Sequence, residues 1–300
     1  MKKRIFWLLL AAVCLCLALT SCFDEEPQES PIGEKGLKYE LSNDGKSYTV
    51  IGIGENKDKE LSIPSKNKGL PVKSIASNAF YGSDVTSVVI PSSVTEISDH
   101  AFISCTTLES ITFPNGLVRI GNNAFYGCKN LKEIELPASL KSLEKLAFYD
   151  CDSLVSVEVP MGITEISQDL FSECDNLETV VLPSSVTTVG YAAFNHTPKL
   201  KSVDLGGCVE AIGESAFGGC VSLKEIELPK TVKTIGESAF NGSGLTQIKI
   251  PKSVTEMGYW AFWNCNSLNT IYCGAESKPS GWNDEWKEYS AEAIWGYPIE

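Results

Sequence analysis

The sequence predicts a β-rich solenoid made of stacked coils of about 23 residues. Phenylalanine, in most units preceded by alanine, recurs every 22 or 23 residues, as Phe80, Phe102, Phe125, Phe148, Phe171, Phe194, Phe217, Phe240 and Phe262. Prolines keep the same interval from Pro91 to Pro251, with Gly206 in one of their places. Self-similarity at a fixed period indicates a repeat architecture, in which each unit is one coil that stacks on its neighbours.

The repeating unit reads L-x-x-I-x-L-P-x-x-V-x-x-I-G-x-x-A-F-x-x-C, and its first seven positions are Leu131 to Pro137 in one coil. A period of about 20–29 residues built on L-x-x-L-x-L is typical of leucine-rich repeats, whose units each add one strand to a parallel sheet. The Ala-Phe pair before the cysteine and the proline after the strand resemble the BspA-like subfamily of these proteins. The resemblance covers residues 61–273, which we predict to be the solenoid.

Alternation within each strand predicts which side chains are buried. In the strand from Leu131 to Leu136, Ile134 and Leu136 are expected to point inward, and Glu133 and Glu135 outward. Apolar residues after the proline are expected to fill the other wall of the coil. The phenylalanines and the recurring cysteines would then form columns inside a continuous core, because one coil alone cannot bury these faces.

Both ends of the solenoid are predicted to carry caps. Residues 37–60 contain two β-prone runs around Asn43-Asp44-Gly45, which favours a hairpin that covers the first coil. Residues 274–300 leave the repeat and contain Trp282, Trp286 and Trp295. We interpret them as an aromatic C-terminal cap. The alternative is an exposed aromatic platform for sugars or a partner, together with Trp260 and Trp263 of the last coil.

The N-terminus is typical of an exported protein. Three basic residues precede an apolar run from Ile5 to Leu19, so residues 1–21 are predicted to be a signal peptide. The tetrad from Leu19 to Cys22 resembles the lipobox of bacterial lipoproteins, which implies that Cys22 carries the acyl chains that anchor the protein to a membrane. Residues 22–36 would be the anchor and a flexible tether. The segment Phe23-Asp24-Glu25-Glu26 resembles the acidic signal that sends lipoproteins of some Gram-negative bacteria to the outer face of the outer membrane, and this resemblance implies a surface-exposed outer-membrane lipoprotein.

The charge of the chain excludes one class of partner. Its formal net charge is −13, and removal of the three basic residues of the signal takes it to −16. Nucleic acid is therefore a poor partner, and the lipidated N-terminus is the expected contact with the membrane.

No motif for a cofactor or a metal ion is present in the sequence, so we expect neither. Cys105, Cys128, Cys151, Cys174, Cys220 and Cys265 share one position of the repeat, with Thr197 in the same column. We interpret them as small buried groups, although disulfides between neighbouring coils, or at Cys208 and Cys273, stay an alternative. The two histidines, His100 and His196, are expected to be solvated turn residues.

Ligand binding in solenoids usually involves the extended, concave sheet. Two outward positions per strand form an acidic and hydroxyl-rich strip that ends in a basic and aromatic edge. The hypothesis is that this strip binds a cationic or glycan ligand, and the plainer interpretation is a solvated sheet face. The candidate residues are Glu133, Glu135, Glu158, Asp204, Glu225, Glu227, Lys249 and Tyr272.

The resemblance implies a binding or adhesion protein whose ligand is a host matrix protein, a bacterial surface protein or a glycan. An accessory structural lipoprotein docked on an outer-membrane complex is the alternative. A polysaccharide-active enzyme is a third possibility, because Glu135 and Glu158 lie on neighbouring strands, at a spacing of roughly 5 Å that suits retaining glycosidases. An open sheet lacks the enclosed pocket that such catalysis needs, so we expect no catalytic residues.

Overall fold

The structure is a computed structural model that describes residues 33–288 and 290–299. The predicted signal peptide, the anchor residue Cys22 and most of the tether lie outside these residues. Within them, no helix has the length and apolar character needed to cross a membrane.

The chain forms a β-solenoid, as predicted. Most coils contribute one strand from the L-x-x-I-x-L segment, and parallel pairs join these strands into a ladder of three parts, whose outward side we call the strand face. Its strands are Glu60–Ser62, Ser87–Val89, Ser110–Thr112, Ser156–Glu158, Thr179–Val181, Ser202–Asp204, Gln247–Ile250, Thr270–Cys273 and Glu292–Ile294. The alternation is as expected, because in Ser156–Glu158 the central Val157 is buried and its two neighbours are exposed.

Parallel strands also line the other wall, where the sequence predicts apolar packing. We call them together the second ladder, although it has two parts that separate between Ser142–Leu143 and Glu165–Ile166. Most of its strands are only two residues long, which is too short for a pattern of alternation. They are Leu70–Ile75, Glu96–Ile97, Arg119–Ile120, Ser142–Leu143, Glu165–Ile166, Thr188–Val189, Ala211–Ile212, Thr234–Ile235, Glu256–Met257 and Gly281–Trp282. Lys66–Asn67 pairs with Leu70–Ile75 in antiparallel fashion.

The N-terminal residues form the predicted hairpin. After a short 3-10 turn at Glu34–Gly36, the strands Lys38–Leu41 and Tyr48–Gly52 pair in antiparallel fashion. The carboxylate of Asp44 accepts hydrogen bonds from the Ser42 hydroxyl and the Lys46 amide, which fixes the turn. Tyr48–Gly52 then pairs with Leu70–Ile75, so the hairpin extends the second ladder and covers its first coil.

The phenylalanine column is fully buried and forms a continuous stack. Neighbouring rings lie nearly parallel, with centroids 4.8 to 5.8 Å apart from Phe80 through to Phe262. Full burial of a phenylalanine contributes about 2–3 kcal/mol, so this column is a main source of stability.

The turns on either side of each phenylalanine have left-handed backbone. The residue two positions before it has positive φ in all nine coils, for example His100 at 60°. His196, at the second position after Phe194, has φ of 51°. Both histidines therefore lie in turns, as expected. Branching at Cβ disfavours the left-handed conformation, and none of the nine residues two positions before a phenylalanine is β-branched.

All the cysteines that the structure describes are free. Those of the recurring column and Cys273 are buried, and Cys208 is exposed. Each thiol of the column donates a hydrogen bond to the carbonyl oxygen of the phenylalanine one coil earlier. The structure also identifies two members of the column that the cysteine pattern had missed, Ser83 and Ser243, which lie within 3.4 Å of Cys105 and Cys265.

Candidate ligand-binding face

The acidic strip lies on the strand face. Glu133, Glu135, Glu158, Asp204, Glu225, Glu227 and Lys249 are all exposed, and Tyr272 at the end of the strip is half-buried. Each side chain points outward because it alternates with a buried residue of the same strand, as Glu133 and Glu135 do with Ile134.

The register of the ladder divides the strip into two acidic groups. Glu158 pairs with Val181, and Val181 pairs with Asp204, so an exposed valine separates the two carboxylates. Glu133 and Glu135 lie on the Glu158 side of this valine, and Glu225 and Glu227 on the Asp204 side. The eight predicted residues therefore do not form one continuous site.

The ladder is interrupted within each acidic group. Among the described residues, no strand pair joins the coil of Glu135 to that of Glu158, or the coil of Asp204 to that of Glu227. The coils of Glu133 and Glu227 keep only single bridges, Ser110 with Glu133 and Glu227 with Lys249. Both interruptions occur where two carboxylates share an outward position, and like charges there disfavour pairing. The other wall is also interrupted, between Ser142–Leu143 and Glu165–Ile166, where no such pair lies, so repulsion alone does not account for these breaks.

The carboxylates of the strip have no cationic partner among the described residues. The repeat position just before the strip differs, because its charged residues pair between coils. The Lys132 ammonium lies 2.6 Å from Glu109, and the Lys201 ammonium lies 2.8 Å from Glu178. The hydrogen bond from Lys201 lowers the pKa of Glu178. Charges next to the strip are thus neutralised between coils, whereas those of the strip are not.

Two predicted residues have structural contacts that the repeat pattern did not reveal. The carboxylate of Asp204 accepts a hydrogen bond of 2.9 Å from the Gly206 amide, which closes the turn at the place where other coils have proline. The ring of Tyr272 packs on Tyr297, with centroids 4.5 Å apart, and is paired in register with Lys249. Tyr297 belongs to the C-terminal segment, so no repeat pattern could have predicted its place.

The tryptophans of the C-terminal segment mostly pack inward. Trp282 and Trp286 are buried, and the Trp286 ring packs edge-on against Phe262, the last ring of the stack. This packing agrees with the cap interpretation. Trp260 and Trp263 are half-buried and stack on each other with centroids 5.3 Å apart, so a smaller aromatic surface exists in the last coil.

Over the residues that the structure describes, no group of three or more histidine, cysteine or acidic side chains is arranged to hold a metal ion. Among the described residues, neither histidine side chain is hydrogen-bonded to a serine, threonine or cysteine side chain. His196 lies 3.9 Å from Glu173 at the surface.

Solved structures of two bacterial proteins are similar to this fold. A leucine-rich repeat protein from T. pallidum is 34% identical over 63% of this chain and 89% of its own, with a TM-score of 0.59. A leucine-rich repeat protein from Bacteroides ovatus is 27% identical over 80% of this chain and 70% of its own, with a TM-score of 0.60. A comparison with curated proteins finds no match.

The sequence profile of the BspA type leucine-rich repeat region matches this chain in six copies, over residues 73–201 and 191–279. These residues include the Phe102 to Phe262 part of the stack and all eight residues of the predicted strip. Because the match spans more than half of the chain, the protein belongs to the BspA-type leucine-rich repeat family.

Proposed function

We propose that the protein is a lipid-anchored binding protein of the cell surface, and that its strand face binds a partner through the acidic strip. The observation that carries this proposal is that the strip places exposed carboxylates at the same outward position of neighbouring coils, Glu135 with Glu158 and Asp204 with Glu227, without a cationic partner among the described residues. A binding protein keeps such unfavourable pairs when a ligand neutralises them.

The missing counter-charge indicates the chemistry of the ligand. Glu109 and Glu178 have lysine partners within the solenoid, whereas Glu135, Glu158 and Glu227 have none among the described residues. A basic segment of another protein would supply these charges from outside. Host matrix proteins and bacterial surface proteins both offer such segments, and a glycan with amino groups is the corresponding saccharide ligand.

The proposal is for binding and not for catalysis. Glu135 and Glu158 are both exposed on an open sheet, where water screens their charges. A general acid in a glycosidase needs an apolar enclosure that raises its pKa, and this face offers none around these two carboxylates.

Neutralisation of the strip tests the proposal. The double variant Glu135→Gln/Glu158→Gln should bind a lysine-rich peptide and matrix-protein arrays at least about ten-fold more weakly at low salt, because two charge-assisted contacts are lost. Glu109→Gln/Glu178→Gln is the matched control and should bind as the parent does. The proposal fails if Glu135→Gln/Glu158→Gln binds as tightly as the control, and if a further variant with reversed charges at Glu135, Glu158, Asp204 and Glu227 also keeps the affinity of the parent.

The location and the partner class need separate measurements. Protease treatment of intact cells should remove the solenoid, and Cys22→Ser should release the protein from membranes, because one residue is proposed to hold all the acyl chains. If the solenoid is protected until the envelope is broken and co-purifies with one membrane complex in detergent, the protein is an accessory lipoprotein instead.

A further inference from the structure

A cleft of about 620 Å³ lies between the last coils and the C-terminal segment. We call it the C-terminal cleft. Its lining includes Lys230, Lys252, Ser253, Glu276 and Tyr297, together with Pro251 and Pro298. Its volume is within the range of roughly 300–1,000 Å³ that is usual for small-molecule sites.

The two lysines are an exception in this acidic protein. They follow the strand-ending proline in consecutive coils, a position that holds Ser92, Asn115, Ala138, Met161, Ser184 and Gly207 in the earlier ones. Neither ammonium group has an ion-pair or hydrogen-bond partner among the described residues. Two like charges on neighbouring coils repel each other, so their presence in a cleft favours an anionic ligand.

Ser253 differs from its counterparts in the other coils. At this position, two residues after the proline, the hydroxyls of Ser139, Ser185 and Thr231 donate to a carbonyl oxygen of the preceding coil at 2.5 to 2.6 Å. The hydroxyl of Ser253 is buried and has no partner in the structure. A buried hydroxyl without a partner is unfavourable, and a polar ligand in the cleft would supply one after a small movement of the lining, because the oxygen itself is closed to solvent.

The other lining groups narrow the class of anion. Glu276 lies beside Gly296. Its carboxylate can accept hydrogen bonds from a ligand, but it repels a simple anion. Tyr297 contributes an aromatic ring whose position is held by Tyr272. The ligand that satisfies all of these groups has a carboxylate for the lysines, hydroxyl donors for Glu276 and an apolar ring face for the tyrosine.

We propose that the C-terminal cleft binds an acidic sugar, with a uronic acid unit as the simplest example. The carboxylate lies between Lys230 and Lys252, and it or a ring hydroxyl pairs with Ser253. The proposal does not rest on the acidic residues of the strip, because none of them lines the cleft, and Tyr272 at the end of the strip contacts it only through Tyr297. It concerns a small anionic ligand, whereas the strip is proposed to bind a cationic partner.

Ligand-observed NMR on the full-length protein in detergent tests this proposal with five probes. Galacturonic acid and glucuronic acid are the test ligands, and galactose, acetate and glycine are the controls at the same concentration. At least one uronic acid should bind at least about ten-fold more tightly than each control. The proposal is wrong if acetate or galactose binds as well as both uronic acids, or if glycine, which carries both charges, binds best.

Variants then locate the binding. Lys230→Ala and Lys252→Ala should each weaken uronic acid binding by about ten-fold or more, since each removes a charge-assisted contact. Ser253→Ala should weaken it without a lower melting temperature, which separates loss of binding from loss of folding. Lys145→Ala removes an exposed lysine far from the cleft and is the control. Equal binding by Lys252→Ala and Lys145→Ala would overturn the proposal, as would unchanged binding by Ser253→Ala and both lysine variants.

Discussion

The sulfur of Cys128 lies 3.2 Å from the carbonyl oxygen of Phe102, one coil earlier in the solenoid. The same relationship joins Cys220 to Phe194, also at 3.2 Å, and four further cysteines to their own preceding phenylalanines. The column therefore favours a small side chain that can hydrogen-bond, and its other members fit this rule: the Thr197 hydroxyl donates to the carbonyl oxygen of Phe194 in its own coil, and the hydroxyls of Ser83 and Ser243 contact the thiols of Cys105 and Cys265. An apolar side chain of the same size would lack that donor.

The buried thiols should make the protein sensitive to alkaline pH. Burial raises the pKa of Cys220 from 9.0 to about 12. The folded state keeps this proton after the unfolded chain has lost it, so the stabilising contribution is complete below pH 9 and is lost as the pH rises towards 12. Cys220→Thr removes this contribution and keeps the donor.

Urea unfolding followed by circular dichroism at pH 8 to 11 under reducing conditions checks the prediction. The stability of the parent should fall more steeply than that of Cys220→Thr, by about 1.4 kcal/mol per pH unit above pH 9. Parallel pH curves for the two proteins would contradict it.

The position of a ring in the phenylalanine stack should determine the cost of its removal. Phe171 stacks on a ring at each side, at 5.8 and 5.7 Å, whereas Phe80 stacks on Phe102 alone. Phe171→Ala should therefore lower the free energy of unfolding by about 3–5 kcal/mol, and Phe80→Ala by less. Equilibrium urea unfolding measures both. An equal cost at the two positions would mean that ring-to-ring contact adds little to burial.

The sequence predicted the parts of the fold that repeat. The spacing of Phe80 to Phe262 fixed the coil length, and the alternation around Ile134 identified the buried and exposed sides of the strands. Both signals are strong because each coil must match its neighbours to bury a shared core. The second ladder was not predicted as strands, since pairs such as Ser142–Leu143 are too short to alternate.

The parts that do not repeat were harder to predict. The strip residues were found because outward positions follow from the period, but the contact between Tyr272 and Tyr297 joins the repeat to the C-terminal segment. The C-terminal cleft combines Lys230, Lys252 and Glu276 in the same way. These contacts depend on how residues 274–299 fold back on the last coils, and no periodicity describes that path.

The C-terminal segment should stabilise the solenoid through Trp286. Its buried ring packs edge-on against Phe262 at 6.0 Å and against Trp282 at 4.9 Å. Trp286→Ala should cost about 3–5 kcal/mol, since a cavity would open at the end of the stack. Trp263→Ala, in a half-buried position, should cost less. Thermal unfolding compares the two, and a small effect of Trp286→Ala would show that the last coil does not need this cover.

Removal of a hydroxyl should lower stability at one of two equivalent positions of the repeat and not at the other. The Thr231 hydroxyl donates to the Val209 carbonyl oxygen at 2.6 Å, whereas the Ser253 hydroxyl is buried without a partner in the structure. Thr231→Val should lower the free energy of unfolding by about 1 kcal/mol, because it removes a hydrogen bond. Ser253→Ala should leave it unchanged or raise it by up to about 1 kcal/mol, since the unfolded chain can hydrate a hydroxyl that the folded protein leaves unpaired.

Urea unfolding without added ligand separates these two effects. A loss of stability in Ser253→Ala as large as that in Thr231→Val would mean that the Ser253 hydroxyl has a partner within the protein. In that case the reason to assign it to a ligand would disappear, even if both lysines of the cleft still bound an anion.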